Sequence, residues 1–179
     1  RFSEDQFIGR NAGSSRHRGA ELDLNYLLPL GGEWVLRPRL GYSYSDHQFV
    51  NFVDKEEDFS GNPLAGVPVH RINSGLLFSY STAWTLAINH QYVDQIPLND
   101  ANTLFSEAFH LVGLLARYGT TLSEHFLLGV HACVNNLLNA NYAHSVLINA
   151  VGFGGAEPRY FYPGNDRNYF GGISASYSF

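Results

Sequence analysis

The 179-residue chain carries 11 Lys and Arg against 16 Asp and Glu, a formal charge of −5, with 45% hydrophobic residues and a single cysteine. One Cys133 excludes an internal disulfide and a thiolate metal centre, the acidic balance lacks the basic excess of a nucleic-acid binder, and no apolar run reaches the ~18 residues of a membrane-spanning helix. What remains unusual is 13 Phe, 11 Tyr and 2 Trp in a chain whose mean hydropathy is only −0.15.

Alternation with period two accounts for that combination, and it recurs along the chain. From Gly19 to Leu28, Ala20, Leu22, Leu24, Tyr26 and Leu28 share one parity, and Glu21, Asp23 and Asn25 the other. From Trp34 to Ser45, Trp34, Leu36, Leu40, Tyr42 and Tyr44 alternate with Arg37, Arg39, Gly41 and Ser43. Ile72, Leu76, Phe78 and Tyr80 then alternate with Arg71, Asn73, Gly75 and Ser79, followed by Trp84, Leu86, Ile88, His90 and Tyr92 against Thr85, Ala87, Asn89 and Gln91. His110 to Tyr118 and Phe126 to Val134 repeat the pattern less strictly, and Tyr169, Ile173, Ala175, Tyr177 and Phe179 close the chain against Gly172, Ser174, Ser176 and Ser178. Seven strands and no helix are expected; residues 1 to about 10 offer a loosely alternating eighth strand.

A soluble sandwich would alternate too, so the connections must discriminate. They run short (around Pro29 to Gly32), long (Asp46 to about Val69), short (Ser81 to Ala83), intermediate (Asp94 to Glu107), short (Gly119 to Glu124) and long (about Asn139 to Asn168). Short turns at one end and long loops at the other are the habit of outer-membrane barrels. Tyr26, Trp34, Tyr80, Trp84, Tyr118 and Phe126 flank the short turns on the apolar parity, while Tyr42, Tyr44, Tyr92 and Tyr169 lie near the opposite strand ends. Two such belts bound a lipid-facing band and leave the polar parity to a lumen. The predicted fold is therefore an all-β, antiparallel, up-and-down transmembrane β-barrel segment of seven strands, or eight with the N-terminal residues. A hairpin about Pro29–Gly31 that sets Tyr26 opposite Trp34 would also set Asp23 opposite Arg37 and Glu21 opposite Arg39, as luminal charge pairs.

The C-terminal run Ile173, Ala175, Tyr177, Phe179 looks like the closing strand of bacterial outer-membrane proteins, whose terminal aromatic is read by the barrel-assembly machinery. Before it stand Val134-Asn135-Asn136-Leu137-Leu138-Asn139-Ala140-Asn141-Tyr142 and Pro158-Arg159-Tyr160-Phe161-Tyr162-Pro163. This succession resembles the last strands of TonB-dependent outer-membrane receptors, with their N-L-x-N-x-x-Y strand end and P-R-x-F/Y segment. Arg16 to Leu22 resembles the family's R-x-x-G-x-E-L strand start, Gly66 to Arg71 its G-x-P-x-H-R return from a long loop, and Tyr92 to Asp94 with Asn99 to Thr103 a further recurrent block. The resemblance covers nearly the whole chain. It implies that residues 1–179 are the C-terminal portion of a larger barrel, since the family's plug domain and TonB box find no counterpart here.

The resemblance further implies active uptake of a scarce metal chelate, most often a ferric siderophore, driven by the TonB complex through the plug, in the bacterial outer membrane. No enzymatic activity, cofactor or protein-held metal is expected, because the chain lacks G-x-S-x-G, H-E-x-x-H and P-loop patterns and no strand sets a His pair beside a carboxylate. Loop residues chemically suited to an anionic, aromatic chelate are Phe49 and Phe52 in the first long loop and Tyr142, His144, Arg159, Tyr160, Phe161 and Tyr162 in the last. Against that, Arg159 to Pro163 belong to the family motif whatever the substrate, which is equally the mark of a segment that folds the loop over the rim. The contrasting reading is a stand-alone small outer-membrane barrel with a structural or adhesion role.

Overall fold

The computed structural model describes residues 13–54, 56–152 and 154–179. The possible eighth strand in residues 1–10 lies outside the described residues. Among the described residues there are eleven strands: β1 (Gly13–Asn25), β2 (Leu28–Gly31), β3 (Trp34–Asp54), β4 (Glu57–Asp58), β5 (His70–Tyr80), β6 (Trp84–Val93), β7 (Phe109–Ser123), β8 (Phe126–Asn135), β9 (Ala143–Val146), β10 (Phe161–Pro163) and β11 (Asn168–Tyr177). Seven of them form one sheet in the order β1-β3-β5-β6-β7-β8-β11, each antiparallel to its neighbour, as the alternation predicts. The short β2 and β4 flank β3, and β9 pairs with β10 in the last loop. Among the described residues there is no helix.

The sheet is a single layer, and this is what removes the sandwich. A sandwich buries one face of each sheet against the other. Here the apolar face is bare: Leu24, Leu76, Leu86 and Ile173 are 52%, 45%, 43% and 78% exposed. The register aligns that face across every strand, with Leu24 opposite Leu40, Leu76 opposite Ile88, Ile88 opposite Leu114, and Val130 opposite Ile173. Near the short turns Trp34, Tyr80, Trp84 and Tyr118 are successive cross-strand partners, with ring centroids 4.4 Å apart for Trp34–Tyr80 and 4.5 Å for Trp84–Tyr118. A continuous apolar band edged by an aromatic row has no core to enter, and lipid is the solvent that suits it.

The first hairpin departs from expectation. Gly31 and Gly32 take φ of 101° and 59°, which places the tight turn there, and β2 keeps pairing with β3 up to Gly31 opposite Trp34. Asp23 therefore sits opposite Gly41, Glu21 opposite Ser43, and Asn25 opposite Arg39, so the luminal pairs Asp23–Arg37 and Glu21–Arg39 do not form in the ladder. Tyr26 lies by Pro38, whose carbonyl accepts its N–H at 3.1 Å, and so stands outside the aromatic row. The slip is four residues, an even number, which is why every side chain keeps the face assigned by parity.

The long connections are more ordered than the sequence suggests. β3 runs 21 residues to Asp54, so Asp46 to Asp54, read as loop, extend the sheet beyond the band. At ~3.3 Å per residue this strand is roughly twice the length a tilted barrel strand needs to cross a membrane.

Candidate ligand face at the loop end

The buried hydrophobic residues among those described lie at the loop ends of β6 and β7 and in the connection between them. Val93, Ile96 and Phe109 are 4–8% exposed and form a cluster against which Leu111, Tyr142 and Val146 pack; Leu98, 2% exposed, is buried nearby in the same connection as Ile96. Around them the three long connections are stitched together. Gly66 N–H donates to the Pro97 carbonyl at 2.8 Å, Asn62 to the Asp100 carbonyl at 2.9 Å, and Asn102 to the Pro63 carbonyl at 3.0 Å. From the other side Asn149 donates to the Asp100 carboxylate at 2.7 Å, and its own side-chain oxygen accepts the Asp100 N–H at 3.0 Å. Asp100 thus joins all three loops. Asn102 and Asn149, at φ of 52° and 51°, hold a left-handed conformation that Asn tolerates better than most residues.

The Asn-rich run after β8 has a similar structural task. Asn136, only 6% exposed and at φ of 48°, donates to the carbonyls of Ala140 (2.9 Å) and Asn165 (3.0 Å) and accepts the Ala140 N–H at 2.8 Å. Asn139 accepts the Arg167 N–H at 2.9 Å. These contacts close the neck of a connection of more than 30 residues and deliver the chain to β11 in register.

The residues proposed from sequence to meet a ligand fall into separate places. Phe49 and Phe52 stack at 4.5 Å, with Phe59 5.7 Å from Phe52, on the β3–β4 projection. Tyr142 packs on Phe109 at 5.1 Å, and its ring fills the space a Cβ at position 164 would need, so only glycine fits there. That makes Tyr142 a structural wedge whose flank is half-exposed. Tyr160 accepts the Leu147 N–H on its carbonyl at 2.7 Å, and Tyr162 pairs with Ser145 in the β9–β10 ladder, beside exposed His144 and Arg159. The loops border a half-open pocket of about 400 Å³, lined by Phe105, Glu107, Tyr142, Phe161, Pro163 and Asp166. Of its aromatic residues Tyr142 and Phe161 were among the expected contacts; Phe105 carries no motif that would single it out.

The luminal face carries amides more than charge pairs. Asn25, Arg39, Gly75, Asn89 and Gly113 are successive cross-strand partners, and Asn135 with Asn168 continues the row on β8 and β11. Gly75 is the reason Arg39 can reach across: a Cβ there would lie 2.6 Å from its Nε, and the guanidinium instead passes over to donate to Asn89 at 2.6 Å. Asp23 takes a hydrogen bond from Asn25, and Asn135 donates to Asn168 at 3.0 Å. Between β1, β3 and β5, Glu21, Asp23, Arg39 and Asn73 border an open concavity of about 710 Å³. At the turn end, Tyr177 pairs with Phe126, Ile173 with Val130, and the Phe179 ring meets Tyr177 edge-on at 5.4 Å, fully exposed.

Residues 2–137 match the family described as TonB dependent receptor-like, beta-barrel. The siderophore receptor PiuA from Acinetobacter baumannii superposes over 92% of this chain with a TM-score of 0.66 at 19% identity. BauA, the ferric preacinetobactin receptor from the same organism, does so over 91% with a TM-score of 0.59 at 20% identity. The chain spans 22% and 26% of those two receptors, respectively.

Proposed function

Because the chain belongs to the TonB-dependent receptor β-barrel family, whose members are outer-membrane transporters and not enzymes, we propose that it is the C-terminal wall of a receptor that imports a metal chelate of the ferric siderophore type. The observation that carries the reading is the alignment of the sheet's two faces. One continuous apolar face with an aromatic edge suits lipid; the opposite face, lined with amides, glycines and Arg39, suits a wet lumen; and the loops gather at one end as a single folded cap. The half-open pocket among these loops, with Phe105, Tyr142 and Phe161 in its walls, is the place where an aromatic chelate would be held. Exposed Arg159 and His144 stand nearby to attract its negative charge.

In this reading residues 1–179 are one part of a longer barrel. β1 and β11 lie at opposite ends of the strand order and do not pair with each other. Lipid does not tolerate open backbone edges, so further strands must meet them, which disfavours a stand-alone small barrel. Energy for transport would reach the lumen through a plug domain engaged by the TonB complex, and Phe179, Tyr177 and Ile173 would present the closing strand to the barrel-assembly machinery.

Uptake of radiolabelled ferric chelates by iron-starved cells tests the proposal. A strain lacking the gene should lose transport of one chelate and regain it with the full-length receptor. Unchanged uptake of every ferric chelate across a broad panel would refute it.

A further inference from the structure

Beyond the apolar band β1 and β3 stay paired, and their register sets His17 opposite His47. Both histidines share the luminal face with Glu21, Asp23 and Arg39, because the register shifts only further out, between Ser14 and Ser15. The N–H groups of Ser45 and Phe49 donate to the carbonyls of Val69 and Asn62 at 2.9 and 3.0 Å, and the His47 carbonyl accepts the Leu64 N–H at 2.9 Å. These residues turn their backbone polar groups away from β1. His17 and His47 are therefore a non-hydrogen-bonded pair, the kind in which facing side chains come closest. Their ring centroids are 4.6 Å apart, with the planes at 61°.

That spacing suits a shared ion. Two imidazoles that hold one metal through nitrogens ~2.1 Å away, at ~90–110° to each other, bring their ring centres to roughly 4.5–5.3 Å. The pair sits at the right-angle end of that range, the cis arrangement of tetragonal Cu(II) and Ni(II). Ser15 Oγ lies 2.9 Å from His17 Nε2. A hydroxyl that accepts the Nε2–H fixes the ring and leaves the Nδ1 lone pair for an ion, as the outer partner of a metal-bound histidine does. Arg16 and Arg18 belong to the other face, where Arg16 donates to Gln48 at 2.7 Å, so their charges do not stand over the pair. Among the described residues no third His, Cys, Asp or Glu joins the two histidines, which leaves coordination positions open, unlike a closed structural site. Phe49 follows His47 on the same face, opposite Ser15, and stacks with Phe52 at 4.5 Å, so an aromatic surface borders the pair.

We propose that His17 and His47 form a luminal site for a borderline divalent transition-metal ion, Cu(II), Ni(II) or Zn(II), that arrives with coordination positions open, as the aquo ion or in a chelate that does not fill its shell. Imidazole suits these ions, whereas a ferric ion already wrapped in a full set of oxygen donors offers the pair no position to bind. An aromatic chelate held through its metal at the two histidines would lay its ring on Phe49 and Phe52. The inference deepens the metal-chelate reading above and rests on it for the luminal placement of this face.

The test uses the full-length receptor in detergent, stripped of metal and titrated with one of three copper sources. Cu(II) iminodiacetate leaves positions open on the metal, Cu(II)-EDTA fills them, and copper(II) chloride supplies the free ion. Pulsed EPR counts the imidazoles on the bound copper. Wild type should hold Cu(II) iminodiacetate through two imidazoles and ignore the EDTA complex. His17→Gln and His47→Gln should each remove the two-imidazole signal and weaken binding by at least about tenfold, with a heat-modifiable barrel still seen on gels. His110→Gln, which breaks the contact of His110 Nδ1 with His90 Nε2 at 2.9 Å, should change neither. A two-imidazole signal from copper(II) chloride but not from the iminodiacetate complex would assign the site to the free ion. A signal that survives His17→Gln or His47→Gln, one that is lost with His110→Gln, or its absence from wild type with both open copper sources overturns the proposal. Failure of the ferric-chelate uptake panel with the copper signal present would remove the transport reading and not the site; uptake without the signal would do the reverse.

Discussion

Leu98→Ala should loosen the whole loop cap without touching the sheet. Leu98 is 2% exposed and is framed by its own backbone contacts: its N–H donates to the Leu104 carbonyl at 2.8 Å and its carbonyl accepts the Asn149 N–H at 2.9 Å. Truncating a fully buried leucine removes its transfer free energy and leaves a cavity, together about 2–5 kcal/mol. The cap lies at the rim and can partly collapse, so the lower half of that range applies, about 2–3 kcal/mol. At ~1.4 kcal/mol per factor of ten, the open fraction of the cap should rise by about 30- to 150-fold. Amide hydrogen exchange followed by mass spectrometry on the full-length receptor reads this directly, because exchange of a closed segment follows its opening equilibrium. Peptides covering residues 94–108 and 143–152 should exchange faster by that factor, and peptides from β5 and β6 should not change. Leu104→Ala, at a residue 38% exposed, is the matched control and should stay within about threefold. Uniform acceleration through β5 and β6, or no acceleration in the loops, would show that the cap is not an independently cooperative unit built on Leu98.

Gly164→Ala should expel the Tyr142 ring from its seat on Phe109, at a cost of about 1–3 kcal/mol, seen as loss of exchange protection in β9 and β10; retained protection would mean that Tyr142 does not wedge the loop. A double-mutant cycle on Trp84 and Tyr118 should return a coupling of about 0.5–1.5 kcal/mol in denaturant unfolding from lipid vesicles, and additive effects would deny the aromatic row any energetic role. At the β3–β4 tip, hydrogen bonds from the Ser60 hydroxyl and then from its backbone N–H hold the Asp58 carboxyl below the ordinary carboxylate value. A depressed folded-state pKa means that its stabilising contribution is present above the ordinary value and is lost as pH falls through the folded one. The Ser60 amide resonance should therefore be constant from neutral pH down to the ordinary carboxylate range and move only below it, a response that Asp58→Asn should abolish.

The luminal hairpin shows where sequence reasoning stops. Parity placed Glu21, Asp23, Arg37 and Arg39 on one face correctly, because alternation is a local property of extended backbone. Pairing Asp23 with Arg37 required knowing where the turn closes, and that was settled by Gly31 and Gly32 accepting positive φ while Leu28 to Gly31 kept their partners on β3. Arg39 finds Asn89, 50 residues away, through the gap left by Gly75, and only the register of three strands brings these together. The loops tell the same story. Tyr142 stood out as a candidate ligand contact by its chemistry, yet its closest engagement is with Phe109 and the space over Gly164. Asp100, the node that joins three loops, lies in the recurrent Asn99 to Thr103 block, but nothing in that stretch says which distant loops it will join.

Read alone, then, the sequence determined the strands, their two faces, the alternation of short and long connections and the family, since each rests on spacing along one stretch of chain. Register and the folded loop cap were decided by tertiary structure. These depend on which residues of distant strands become neighbours, and a period-two pattern is unchanged by any even slip between strands.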